Sequence, residues 1–255
     1  MGHLIDYPPI VFAVSFVVLW LSTKLGSSIL RRRLQLTDDA REDFSVVLAA
    51  TMTLLGLIIG FSFSMAISRY DQRKNMEEEE ANAIGTEYVR ADLLPAADAA
   101  RVRALLKGYV EQRMLFYSTR DAEALREINS RTARLQTELW SSVVGPATAQ
   151  PTPLSALVVA GMNDVLNSQG YTQAAWWNRI PVAAWALMLV IAVCANVMVG
   201  YGARNPKAEG KLLLVLPLIA AISFFLIADI DSPRGGVIRV HPQNLESLAE
   251  SLRSP

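Results

Sequence analysis

One stretch, from Phe44 to Glu80, restricts this chain more than any other. Residues Phe44 to Ser68 carry no charge, and the run passes without a helix breaker into Arg69-Tyr-Asp-Gln-Arg-Lys-Asn-Met-Glu-Glu-Glu-Glu80. Roughly 25 uncharged residues are enough for a helix to cross a hydrocarbon core about 30 Å thick. The charged half is expected to continue the same rod into water. At helical spacing Thr53, Leu57, Gly60 and Ser64 share one face, and Asp71, Glu78 and Asn82 extend it beyond the apolar run. A stripe of small and polar groups leaving the membrane toward acid suggests a helix that lines a passage.

The rest of the chain belongs to the same class. Hydrophobic residues make up 52% of it, and the charges cluster instead of scattering. Four runs are long enough to span: about Pro9–Leu30, Phe44–Ser68, Ile180–Tyr201 and Leu212–Ala228. Lys24 in the first lies near an end, where its stem can reach the headgroups. Pro217 in the last is tolerated when neighbours re-satisfy the freed carbonyl. No basic segment precedes the first run and no small-residue cleavage site follows it, so a cleavable signal is not expected. The single cysteine, Cys194, lies inside the third run, which excludes intrachain disulfides and argues against a metal cluster. His3 and His241 stand apart from each other and from Cys194, with no metal-binding spacing.

Between the second and third runs lies a charge-rich segment of about 110 residues with helical periodicity. Pro95 can open a helix that buries Val102, Leu105, Leu106, Tyr109 and Val110. A second helix carries Leu125, Ile128, Leu135 and Leu139 on one side, and Gly145-Pro146 and Pro151-Thr-Pro153 are expected to break it. A third, from about Leu154 to Asn167, carries Leu157, Val158, Met162, Val165 and Leu166. Gly235-Gly-Val-Ile-Arg-Val240 reads as a short extended segment, and Leu245, Leu248 and Leu252 as a terminal amphipathic helix. The expected fold is all-α: four transmembrane helices with an inserted extramembrane helical domain. Its segments are a first transmembrane pair over 1–68, the helical domain over 69–179, a second pair over 180–229 and a tail over 230–255.

Lys and Arg balance Asp and Glu at 24 each, and no basic stripe interleaved with aromatics occurs, so nucleic acid is excluded as a partner. The loop between the first two spans holds Arg31, Arg32, Arg33 and Arg41; the loop between the last two holds Arg204, Lys207 and Lys211. The positive-inside rule then places both loops in the cytoplasm and the helical domain outside, although Arg69, Arg73, Lys74 and Arg179 flank the domain side. No phosphate loop, nucleophile elbow or paired-carboxylate constellation is present, so no enzyme and no cofactor is expected.

Three segments carry a resemblance. Gly60-Phe-Ser-Phe-Ser-Met-Ala-Ile-Ser-Arg-Tyr-Asp-Gln-Arg73 resembles the second-helix segment of bestrophins. Together with Leu54-Leu-Gly-Leu-Ile-Ile-Gly-Phe61, Glu80-Ala-Asn-Ala-Ile-Gly-Thr-Glu-Tyr-Val-Arg-Ala-Asp-Leu-Leu-Pro95 and Asp229-Ile-Asp-Ser-Pro-Arg-Gly-Gly236, it is similar to a bacterial bestrophin-like family of unknown function across nearly the whole chain. Bestrophins are pentameric ion channels of the lipid bilayer. The resemblance therefore implies a homo-pentamer in a bacterial inner membrane, inorganic ions as the permeating partner, and the second helix around a central pore. Its narrow neck would fall on Thr53, Leu57 and Phe61, with Gly60 and Ser64 lining the pore and Asp71 and Glu78 at its mouth. Thr53 departs from an all-apolar neck. Asp229 and Asp231 stand where animal bestrophins bind calcium, but the run of consecutive acids is missing and no metal is expected. The resemblance also implies a cytoplasmic domain, against the arginine loops.

Each feature has a plainer reading. Gly56, Gly60 and Ser64 have the spacing of close helix packing. Glu77–Glu80 reads as a solvated face, or as a ring of acid around a pore mouth. Arg69 reads as an interfacial anchor, or as a partner of Asp71, Asp229 or Asp231. Asp229, Asp231 and Arg234 read as a tight turn forced by Pro233 and the two glycines, or as an ion site. Asn196 is expected to hydrogen-bond between helices, and Trp176, Trp177 and Trp185 to anchor at the interface. A non-conducting scaffold or sensor fits the same four spans.

Overall fold

The computed structural model describes residues 4–30, 37–203 and 210–253. Arg31, Arg32, Arg33, Arg204, Lys207 and His3 lie outside the described residues. Eight α-helices follow in order among them: α1 Pro8–Leu25, α2 Asp38–Arg90, α3 Ala96–Ser118, α4 Ala122–Ala149, α5 Pro153–Trp177, α6 Val182–Gly202, α7 Val215–Asp231 and α8 Gln243–Arg253. No strand occurs among the described residues, and the all-α expectation holds. Four stretches are long and apolar enough to span: Pro8–Leu30, Ala40–Leu93, Pro153–Gly202 and Leu212–Asp231.

The local chemistry sets these boundaries. Pro8 and Pro9 open α1, where the missing N–H has no intrahelical partner to lose. The Asp121 carboxylate accepts from the N–H groups of Glu123 and Ala124 and caps α4, while Thr152 and Ser155 form a capping box on α5. Gly145-Pro146 does not break α4, contrary to expectation. Pro146 removes one ladder bond, and the helix runs on to Ala149, where Gln150 N–H closes on the Pro146 carbonyl. Pro217 falls in the first turn of α7, a position that donates no intrahelical bond, so it frees no carbonyl needing a neighbour. Gly235 to Ile238 form a turn and bends instead of an extended segment, and no strand follows at Arg239 and Val240.

Two compact units result. The first comprises Met1–Arg69 with Arg179–Arg239, and the second Tyr70–Asn178 with Val240–Pro255. In the first, α1 packs against both α6 and α7. The α1–α6 contact is built on glycine. A Cβ at Gly200 would overlap the Thr23 carbonyl, and one at Gly26 would overlap the Val197 carbonyl. The backbones therefore touch, as small residues permit in membranes. Beside them Thr23 Oγ1 donates to Asn196 Oδ1 at 3.2 Å, and Asn196 Nδ2 donates to the Ala192 carbonyl at 2.7 Å, the interhelical bond expected of Asn196. Gly200→Ala is expected to cost about 1–3 kcal/mol, since main chain and not a yielding side chain must move. A fall in the thermal midpoint of the solubilised protein would register it, and an unchanged midpoint would refute the contact.

In the second unit α3, α4, α5 and α8 enclose one core with the charged half of α2. Leu106, Tyr109, Phe116, Leu139, Met162 and Leu245 are fully buried there. Trp176 belongs to this core, not to an interfacial belt: its ring lies 5.0 Å from Phe116 and 5.5 Å from Tyr117. Trp177, one residue and about 100° further round the helix, is 74% exposed.

Candidate functional site

The stripe singled out on α2 is left open by its own chain, as is most of that helix's apolar length. Within the first unit Leu55, Ser62 and Ala66 are buried, whereas Thr53, Leu57, Gly60, Phe61 and Ser64 are exposed, Leu57 at 50% and Phe61 at 60%. A Cβ at Gly56 or Gly60 would meet nothing within 4 Å. Among the described residues, the small-residue spacing therefore packs no helix of this chain. Thr53 is less polar than its formula suggests, since its hydroxyl donates back to the Ala49 carbonyl at 2.9 Å. The methyl and the oxygen's two acceptor lone pairs are what it can still offer. In the second unit Asp71, Glu78 and Asn82 are exposed as well.

The acid run divides. Glu78 and Glu79 are solvated, but Glu77 and Glu80 are buried, and only half of the expected solvated face exists. Glu80 pairs with Arg113 of α3, whose Nη2 lies 3.3 Å from Oε2. The Tyr117 hydroxyl donates to the same oxygen at 3.2 Å and Thr172 at 3.3 Å. Arg113 lies over the Phe116 ring at 4.4 Å. Burial alone would pull the Arg113 guanidinium down, but Glu80 beside it prevails and holds its pKa above the ordinary value. Burial, then the Glu80 charge, drives the Tyr117 hydroxyl upward. Glu77 accepts from Leu245 N–H at 2.9 Å and Asn244 Nδ2 at 2.6 Å, so it satisfies the first turn of α8. Burial raises its pKa, and those two bonds oppose the rise.

Periodicity held the missed signal. Arg73, Glu77, Glu80, Ile84, Glu87 and Ala91 follow one another at spacings of four and three, and all six are buried. Polar residues at core spacing are easily read as a solvated run.

The acidic turn after α7 is built from the chain's own donors. Asp229 accepts from Val237 N–H and Ile238 N–H, both at 2.8 Å. Asp231 accepts from Arg179 Nε at 3.0 Å and from Ile180 N–H at 3.2 Å, and Arg179 Nη1 reaches Asp6 at 2.6 Å. Ser232 Oγ accepts from Gly235 N–H at 3.1 Å, and a Cβ at Gly236 would overlap the Asp229 carbonyl. The cation beside Asp231 is thus Arg179, which the sequence reading counted only as a flanking charge. Arg69 and Arg234 are half-buried. No group of three or more His, Cys, Asp or Glu side chains suited to a metal ion occurs among the described residues.

Comparison with known proteins now bears on this geometry. A point variant of the bestrophin homolog of Klebsiella pneumoniae superposes with a TM-score of 0.66 at 13% identity, covering 94% of this chain and 96% of that one. The crystal structure of the homolog solved by zinc phasing gives 0.64 at 14% identity over 95% and 94%. These establish a shared fold. No curated protein matches the chain. The family model of the bestrophin-like domain matches residues 10–245. By that match, the chain belongs to the bestrophin-like family.

Proposed function

We propose that the chain is an ion channel on the bestrophin plan, a homo-pentamer in a bacterial inner membrane with α2 around a central pore. One observation carries this reading. Only 6% of the apolar window of α2 is buried within the chain, against 28% for Pro8–Leu30 and 44% for Leu212–Asp231. A helix left that open needs lipid, water or further copies around it. Its open stripe of Thr, Gly and Ser is poorly suited to lipid and well suited to close subunit contact or to a hydrated wall. Leu57 and Phe61, with the Thr53 methyl, form the neck, and Gly60 and Ser64 line the wall. Asp71 and Glu78 ring the mouth and concentrate cations there. The arginine-bearing loops favour the outer side of the membrane for the helical unit.

Native mass of the complex in lipid nanodiscs tests the assembly. Five copies are expected. A monomer or dimer that persists across mild conditions would leave α2 no shared axis, and the chain would then be a scaffold or sensor with no conduction path.

A further inference from the structure

Two acids on α2, Glu80 and Glu87, are both fully buried in the second unit, and they meet opposite surroundings. Glu80 is bound by Arg113, Tyr117 and Thr172. Neither carboxyl oxygen of Glu87 has a hydrogen-bond partner. The group presses instead on main chain: a Cβ at Gly161 of α5 would overlap Glu87 Oε2 and Arg90 Nη1. Glycine at 161 thus makes the space this side chain occupies. Two charged groups face it, Arg90 on its own helix and Asp164 on α5. Asp92, in the turn after α2, is taken by Arg103 of α3. Arg90 favours the carboxylate and Asp164 opposes it, so the balance falls to burial. An ion without donors in such a place is costly, and retaining the proton removes the charge.

We propose that Glu87 is a proton-binding site of the helical unit, occupied while α2 and α5 are packed and released at the expense of that contact. Burial, the largest influence, outweighs Arg90 and holds the Glu87 pKa at about 8. The sign follows from linkage. An unfolded chain gives up this proton near the ordinary value of 4.5, while the folded chain keeps it up to about 8. The stabilisation is therefore complete below 4.5 and is lost as pH rises through about 8. This is opposite to a salt-bridged acid, which supports the fold at high pH. Within the window one retained proton lowers the folding constant about tenfold per pH unit.

The experiment is thermal unfolding of the full chain in nanodiscs across that window, for the wild type, Glu87→Gln and Asp164→Asn. Glu87→Gln should remove the alkaline loss, gaining on the wild type as pH rises. Asp164→Asn, at an exposed position, should move the loss to lower pH because the opposing charge is gone. Infrared difference spectra at neutral pH should show a protonated-carboxyl band that Glu87→Gln abolishes. Parallel pH profiles for all three proteins, or a band that survives Glu87→Gln, would overturn the proposal. Should Glu87→Gln not fold, the shift in Asp164→Asn and its carboxyl band decide alone.

Discussion

Arg113→Met is expected to destabilise the helical unit by about 3–5 kcal/mol, the range seen when one partner of a buried ion pair is removed. Methionine fills much of the space but supplies no donor. Glu80 would then keep only Tyr117 and Thr172 for a charge that no water reaches. The Phe116 ring would lose the guanidinium above it at 4.4 Å. Removing both charges together, as Glu80→Leu with Arg113→Met, should recover much of the loss, since a pair replaced by apolar groups costs far less than a pair broken. Near-ultraviolet circular dichroism follows the response, because Phe116, Tyr117 and Trp176 form one ring cluster beside the pair. A single variant that melts with the wild type would show that the pair does not hold the unit together. A double variant worse than the single would show that packing, not charge, dominates there.

The second large effect concerns conduction. In the proposed channel, Leu57→Ala with Phe61→Ala widens the neck and replaces its apolar rim. A hydrophobic constriction opposes ions by shedding water, so shorter side chains should lower that barrier. Each ~1.4 kcal/mol removed raises flux about tenfold. Both residues are exposed in the single chain, so the change leaves the buried row at Leu55, Ser62 and Ala66 untouched, and the fold of the chain should persist. Liposome flux measured beside native mass separates the outcomes. Higher flux with an intact assembly supports the neck. Unchanged flux with an intact assembly removes Leu57 and Phe61 from the path. Loss of the assembly would mean that these side chains hold copies together. Thr53→Val tests the remaining position. Its hydroxyl is already spent on the Ala49 carbonyl, so the effect should be small.

Much of this architecture was open to reading because it depends on strong local signals. Apolar runs long enough to span gave α1, α2, α6 and α7, and 3.6-residue periodicity gave α3 and α8. The bestrophin likeness was legible in the segments around Gly60, Glu80 and Asp229. What escaped reading depends on distant partners. Nothing near Glu80 announces Arg113, which lies 33 positions on, and nothing near Asp231 announces Arg179. Four consecutive acids look solvated until the helix is turned and the first and last of them, Glu77 and Glu80, face inward. Adjacent tryptophans at 176 and 177 look like one anchor until the same rotation sends one into the core. Pro146 looked like a stop, but a proline removes only one ladder bond and α4 runs just three residues past it, to Ala149.

The bond between Glu77 and α8 has a consequence for biosynthesis. The acid is made early, on α2, and its donors Asn244 and Leu245 are made after α6 and α7. On a ribosome, Glu77 therefore waits without these donors through the synthesis of α3, α4, α5 and two further spanning helices. The helical unit cannot reach its final packing before α8 is made, however fast its other helices form. Synthesis of α6 and α7 thus precedes completion of a unit whose other helices have already been made.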